Sequence, residues 1–142
     1  MAQPKRILFV CRKNSCRSQM AEGFAQSLGE PYIVASSAGI YSSQIDPRTI
    51  EVMAEEGIDI SRNTAKCLNE FTPETFDCIV TMCASASKLN EVWKLKILEE
   101  WDIEDPSGQS IKIYRQVRDE IKQRVQNLFV LINLKLLQFN SL

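Results

Sequence analysis

The chain has 142 residues, 44% of them hydrophobic and 25% charged, with a formal net charge of −1 and no histidine. That length suits one domain over residues 1–142 with a real core, and the near-neutral charge offers no global field for nucleic acid. The missing histidine excludes a Cys–His dyad and any histidine-bearing metal site, and an odd count of five cysteines excludes a fully paired disulfide framework within one chain.

Residues 1–6 are polar and the apolar run after them is too short for a leader peptide. No stretch reaches the length of a membrane span. A cytoplasmic location with reduced, reactive thiols is therefore expected. Ile7-Leu8-Phe9-Val10 reads as a short buried strand, and residues 19–28 read as a helix with Met20, Phe24 and Leu28 on one face. Residues 32–36 and 78–82 read as further buried strands, and residues 95–98 as a weaker fourth. Residues 47–56 read as a helix with Asp46 as N-cap, Pro47 at its first position and Gly57 ending it. Ser110 begins a long helix in which Ile111, Tyr114, Val117, Ile121, Val125, Leu128 and Ile132 recur at helical spacing. Residues 129–142 extend that helix. Its tail is apolar on more than one face, with Leu131, Leu134, Leu136 and Leu137, and is read as packing its last turn on the body rather than as a self-association patch. A monomer is expected.

Strands alternating with helices imply an α/β fold with a central, mostly four-stranded parallel sheet and helices on both faces, three layers in all. Ligands in such sheets bind beyond the carboxyl ends of the strands, where both Cys11 and Cys83 fall.

Between the first strand and the first helix lies Cys11-Arg12-Lys13-Asn14-Ser15-Cys16-Arg17-Ser18. A helix N-terminus carries unpaired N–H groups and a partial positive charge, which together make an anion site. The segment from Lys5 to Glu22 holds five basic residues and no acid before Glu22. That field favours the thiolate of Cys11, the nucleophilic form. Arg17 can fold over the loop and hold two oxygens of an anion through its planar fork. The Ser18 hydroxyl can cap the helix or bond the sulfur. Arg12, Lys13, Asn14, Ser15, Cys16, Arg17 and Ser18 are thus candidate oxyanion-binding residues, with Cys11 as nucleophile. Without histidine, a carboxylate must move the proton. Asp105-Pro106, with Gly108 after it, is either a plain turn or an acid held on a rigid loop over the anion. Cys83 opens a loop of small residues and is either a structural thiol or one able to reach Cys11.

These residues resemble the low-molecular-weight tyrosine phosphatase superfamily. Within it, Asn14-Ser15-Cys16-Arg17-Ser18-Gln19-Met20-Ala21-Glu22-Gly23 is similar to the thioredoxin-type arsenate reductases. The similarity continues through Ser37-Ala38-Gly39, Gly57-Ile58-Asp59-Ile60-Ser61, Val80-Thr81-Met82-Cys83, Trp101, Asp105-Pro106 and Arg118-Asp119-Glu120-Ile121-Lys122. The resemblance implies an arsenate reductase with weak phosphatase activity. Cys11 attacks arsenate, Asp105 is the general acid with Asp102 and Glu104 as substitutes, and Cys83 attacks the arseno-cysteine adduct.

The alternatives are a phosphatase that hydrolyses phosphomonoesters through a phospho-cysteine, and a non-catalytic redox or oxyanion sensor. Phosphatases of this superfamily carry an aromatic residue after the Asp-Pro pair. Here Ser107 and Gly108 follow, which favours a bare oxyanion, although Tyr41 could supply an aromatic surface.

The resemblance also implies a further resolving cysteine at the place of Ser85 or Asn90, and neither is a cysteine. Cys67, expected to be exposed, is the remaining candidate redox thiol, with Cys16 able to pair with Cys11 and Cys78 expected to be inert. Glutathione with glutaredoxin is therefore expected as the reductant in preference to thioredoxin, which places the chain nearest the glutaredoxin-coupled members. Some relatives bind potassium with groups matching Asn14, Glu22 and Ser37 and an Asp at the place of Lys66. The lysine ammonium can supply that charge, so no metal and no bound cofactor are expected. The expected partners are arsenate or phosphate and a redox protein, with no nucleic acid and no membrane.

Overall fold

The computed structural model describes residues 3–41, 43–82 and 88–140. Four strands form one sheet: β1 (Lys5–Cys11), β2 (Ile33–Gly39), β3 (Cys78–Met82) and β4 (Ile97–Trp101), in the order β2-β1-β3-β4. Every pairing is parallel, with Cys11 opposite Gly39 and Val10 opposite Thr81. The helices are α1 (Arg17–Gly29), α2 (Pro47–Ala54), α3 (Glu91–Lys94) and α4 (Ile111–Asn140). Among the described residues no helix is long and apolar enough to cross a membrane.

The pleat divides the apolar run of β1 between two cores. Ile7 and Phe9 join Met20, Phe24, Val52, Met53 and the inner face of α4 on one side. Leu8 and Val10 join Phe76, Ile79, Leu89 and Trp93 on the other. The two sides are unequal. The first is covered by α1, α2 and the 30-residue α4, the second by the single turn of α3 and two 3₁₀ turns, Leu68–Glu70 and Pro73–Thr75. Tyr114, Val117, Ile121, Val125 and Leu128 form the buried stripe of α4. Each large aliphatic buried this way contributes about 1.5–3 kcal/mol relative to exposure.

Local chemistry sets the element ends. The Asp46 carboxylate accepts from the Arg48 N–H at 3.0 Å and caps α2, with Pro47 next to it. Gly57, at φ +75°, closes the turn after α2 in the left-handed region that glycine tolerates best. Arg115 and Arg118 of α4 both bond Glu55, and Arg118 also donates to the Val52 carbonyl at 3.0 Å, so α4 is fastened to the end of α2.

Two sequence expectations shift, and a third falls mostly outside the described residues. The fourth strand starts at Ile97, not Leu95, because Asn90 caps a helical turn through its bond from the Trp93 N–H, and Leu95 after it is 86% exposed. Leu28 does not share the buried face of Met20 and Phe24; it is 46% exposed, and small residues such as Ala21 and Ala25 complete that face. Of the tail residues, Leu131 is half-buried, Val130 before it is 59% exposed, and the side chains from Leu134 onward lie outside the described residues.

Candidate active site

β1 ends at Cys11 and α1 begins at Arg17, so the loop between them sits at the carboxyl edge of the sheet. Cys16 stands at the N-cap of α1 with no side-chain cap, which leaves the first-turn N–H groups open to an anion. The loop depends on Asn14, which is fully buried with φ +57°. Its Oδ1 accepts from Gln19 Nε2 at 2.9 Å and from the Lys66 N–H at 2.8 Å. That fixes its Nδ2 as the donor to Ser18 Oγ at 2.7 Å. Ser18 Oγ, already an acceptor from Asn14, lies 2.8 Å from the Cys11 sulfur and can give its own proton to a thiolate there, and the Asn14 N–H donates to the same sulfur at 3.1 Å. A backbone N–H and a hydroxyl thus converge on a sulfur in a cysteine that is 2% exposed. Of the two roles open to Ser18, the structure shows the sulfur contact and not the cap.

Gly39 is what lets β2 lie against this loop. A Cβ there would stand 2.4 Å from the Lys13 carbonyl carbon and 2.6 Å from the Asn14 nitrogen, closer than real contacts allow.

Arg17 is buried. Its Nη1 donates to the Ile103 carbonyl at 3.0 Å, and its Nη2 lies 3.7 Å from Asp105 Oδ2. A cavity of about 190 Å³ brings Cys11, Arg12, Lys13, Ser15, Cys16, Arg17 and Asp105 together with Ser43, Gln44, Asp46 and Ser107. Asn14 and Ser18 do not line it; they lie beneath it and shape the loop. Asp102 and Glu104 do not line it either, and Glu104 accepts from Gln109 Nε2 at 2.8 Å. Tyr41 is half-exposed beside the loop, with the Arg12 guanidinium 6.0 Å from its ring centre.

The other thiols differ from Cys11. Burial pushes the Cys16 thiol up to about 12, so at neutral pH it is a neutral thiol in the cavity wall. Cys67 is half-buried rather than exposed, with its Sγ 3.6 Å from the Ile40 carbonyl, because residues 66–67 are drawn onto the end of β2 by the Gly39 N–H bond to the Lys66 carbonyl at 2.8 Å. Cys78 starts β3, partly buried against the larger core. Cys83 follows β3 directly, and it and Ser85 lie outside the described residues.

Behind the loop, Glu22 accepts from Ser37 Oγ at 2.9 Å and Asn63 Nδ2 at 3.2 Å. Burial raises its carboxyl, opposed by the Ser37 bond and by the charge of Lys66. The Lys66 ammonium donates to the Thr64 carbonyl at 2.9 Å. The parts of this surrounding that sequence reasoning missed are Asp46, Ser43 and Gln44 in the cavity wall and Gln19, Asn63 and Thr64 behind the loop. The N-cap pattern Asp46-Pro47 was the only sequence signal among them, and it speaks of helix α2 rather than of a cavity.

A four-stranded parallel sheet whose first strand runs into a Cys-x5-Arg loop, with an Asp-Pro loop across from it, defines a class of α/β folds with a cysteine at the carboxyl edge of the sheet. The chain belongs to the low molecular weight phosphotyrosine protein phosphatase family, whose model matches residues 6–138. It is 43% identical to a glutaredoxin arsenate reductase of Synechocystis sp., over 91% of this chain and 99% of that one. It is 40% identical to an arsenate reductase of Staphylococcus xylosus, over 87% of this chain and 95% of the relative. Among solved structures, an arsenate reductase in the phosphate binding state superposes with a TM-score of 0.83 at 43% identity, covering 89% of this chain and 97% of that one.

Proposed function

We propose that this chain is a cytoplasmic arsenate reductase. One observation carries the reading: the Cys11 sulfur, met by the Asn14 N–H and the Ser18 hydroxyl, opens into the same small cavity as Arg17 and Asp105, which stand 3.7 Å apart. The names of relatives that match along nearly the whole chain support an enzyme of this reaction. Arsenate enters the loop and is held by its N–H groups and the Arg17 fork. The Cys11 thiolate attacks arsenic while Asp105 gives a proton to the departing oxygen, so that water leaves and a Cys11–arsenic(V) adduct remains. A second thiolate then attacks the Cys11 sulfur. The S–As electron pair passes to arsenic, arsenite leaves, and a disulfide forms that an external thiol reduces. Cys83 or glutathione supplies that second sulfur.

Ser107 beside Asp105 gives the cavity no aromatic wall, which fits an inorganic oxyanion better than an aryl ester. Slow hydrolysis of phosphomonoesters is a side activity of the same first step. Lys66 beside Glu22 supplies a fixed positive charge, so turnover needs no added potassium.

Arsenate turnover with a panel of reductants tests the proposal. Glutathione plus glutaredoxin should support arsenite formation better than thioredoxin, because Ser85 and Asn90 leave no second resolving cysteine. Cys11→Ser should abolish it. Cys83→Ser should leave hydrolysis of p-nitrophenyl phosphate intact and impair arsenate reduction unless glutathione takes its place. Phosphomonoester hydrolysis without arsenate reduction under any reductant would make the chain a phosphatase instead. Neither activity, with Cys11 still reacting with oxidants, would make it a sensor.

A further inference from the structure

We propose that Arg48 is a positioning residue that holds the Asp105 loop at a fixed distance from the anion loop, an inference that rests on Asp105 being the general acid. Residues 104–109 bond mainly to themselves. The Ser107 N–H donates to Asp105 Oδ1 at 3.0 Å, the Gln109 N–H to the Pro106 carbonyl at 2.9 Å, and Gln109 Nε2 to Glu104 Oε1 at 2.8 Å and the Asp105 carbonyl at 3.3 Å. The Asp105 side chain is 51% exposed, and its contact outside the loop is the 3.7 Å approach of Arg17. That contact does not survive catalysis unchanged, because the Arg17 fork must turn its donors onto the oxyanion.

Arg48 is exposed and does not line the cavity, and it offers a second hold. Its Nη1 donates to the Gln109 carbonyl. Its own place is set from both sides. Its N–H is bonded to the Asp46 carboxylate at 3.0 Å, and its guanidinium stands 5.8 Å from the Tyr114 ring centre. Tyr114 is 1% exposed and donates its hydroxyl proton to the other Asp46 oxygen. Burial and the Asp46 carboxylate both push the Tyr114 hydroxyl upward, so it remains a donor throughout the pH range of catalysis. The Asp46 N–H in turn donates to the Ser15 carbonyl at 3.0 Å and so fixes the Ser15–Cys16 peptide of the anion loop. A continuous path therefore runs from Ser15 through Asp46 and Arg48 to Gln109 and Asp105. It sets the span between cradle and acid independently of Arg17.

The test is kcat/KM for arsenate in a mutant cycle of Arg48→Ala and Asp105→Asn, alongside Arg48→Lys and the competitive inhibition constant of inorganic phosphate. Arg48→Ala should lower kcat/KM about tenfold and leave phosphate inhibition within about twofold of wild type, since the cradle itself is intact. Arg48→Lys should recover part of the loss. In the Asp105→Asn background the same Arg48→Ala change should cost less than about twofold, because there is no acid left to position. An equal cost in both backgrounds, a matching loss of phosphate affinity, or wild-type kinetics in Arg48→Ala would overturn the role of Arg48. Wild-type kinetics in Asp105→Asn would instead overturn the assignment of the acid, and the role of Arg48 with it.

Discussion

The two loops that face each other across the cavity are built in opposite ways. The loop over residues 11–17 is buried at Cys11, Asn14, Cys16 and Arg17, exposed at Arg12 and Lys13, and tied from several directions: Asn14 to Gln19, Ser18 and Lys66, Gly39 pressed against Lys13, and Ser15 bonded to Asp46. The Asp105 loop is largely exposed and bonds to itself, with Arg17 and Arg48 as its polar links across the cavity. A cradle must present its donors before the anion arrives, since reorganising them during the reaction would raise the barrier. The acid proposed at Asp105 would meet an oxygen whose position is set by the bound anion, so its loop can be held at a few points. Local stability follows the same division: a buried, multiply bonded segment opens rarely, an exposed one often.

That contrast can be tested step by step. The largest effect should come from Arg17→Lys, which keeps the charge but removes the fork. A loss of about a thousandfold in kcat/KM for arsenate is expected, and near wild-type turnover would mean that the loop N–H groups alone hold the anion. Asp105→Asn should follow with a loss of about a hundredfold in the first chemical step while phosphate inhibition is retained, because the role proposed for Asp105 is on the leaving oxygen and not on binding. Unchanged single-turnover kinetics would shift the role to Asp102 or Glu104.

Asn14 separates the backbone from the side chain. Asn14→Gly keeps the left-handed conformation and loses the amide bonds; Asn14→Ala loses both. Both should weaken phosphate inhibition and lower stability, Asn14→Ala by about 1–3 kcal/mol more than Asn14→Gly because alanine also resists the left-handed backbone. Equal stability of the two variants in urea would show that the lost amide bonds account for the whole cost and the left-handed backbone for none of it.

The smallest effect on rate should come from Glu55→Gln, far from both loops. Hydrogen bonds from Arg115, with further help from Arg118, hold the Glu55 carboxyl down to about 2, against an ordinary value of about 4.3. A depressed carboxyl contributes stability that is present above the unfolded value and lost as pH falls through the folded one. Wild type should therefore be the more stable at pH 7, and the gap should close between about pH 4 and pH 2 in urea titrations. A gap that persists at pH 2 would mean that Glu55 contributes by packing rather than by charge.

Much of the fold was legible because its signals are local. The continuous apolar runs of β1 and β3 and the stripe from Ile111 to Ile132 each declare their element. The weak points are equally physical. Leu95-Lys96-Ile97-Leu98 is apolar at both ends, yet it straddles a helical turn and a strand. The four residues of α3 are too short for a period to show. The strand–loop–helix placement of Cys11 and Arg17 was legible because these residues are close in sequence. The carboxylate of Asp46, the amide of Gln19 and the setting of Cys67 were not, because segments distant in sequence bring them into place. Thr64-Ala65-Lys66-Cys67 reads as a polar surface loop until Gly39 is seen bonded to it.

The unequal covering of the two sheet faces sets an order for amide hydrogen exchange. Amides in the middle of α1 and on the inner turns of α4 are backed by the larger core, and their protons should exchange only through global unfolding. The single turn of α3 and the 3₁₀ turns at Leu68–Glu70 and Pro73–Thr75 contribute few buried groups, so their protons should be replaced far sooner. Deuterium would thus enter this protein from one side of its sheet, while the Arg17 side of the same sheet kept its hydrogen.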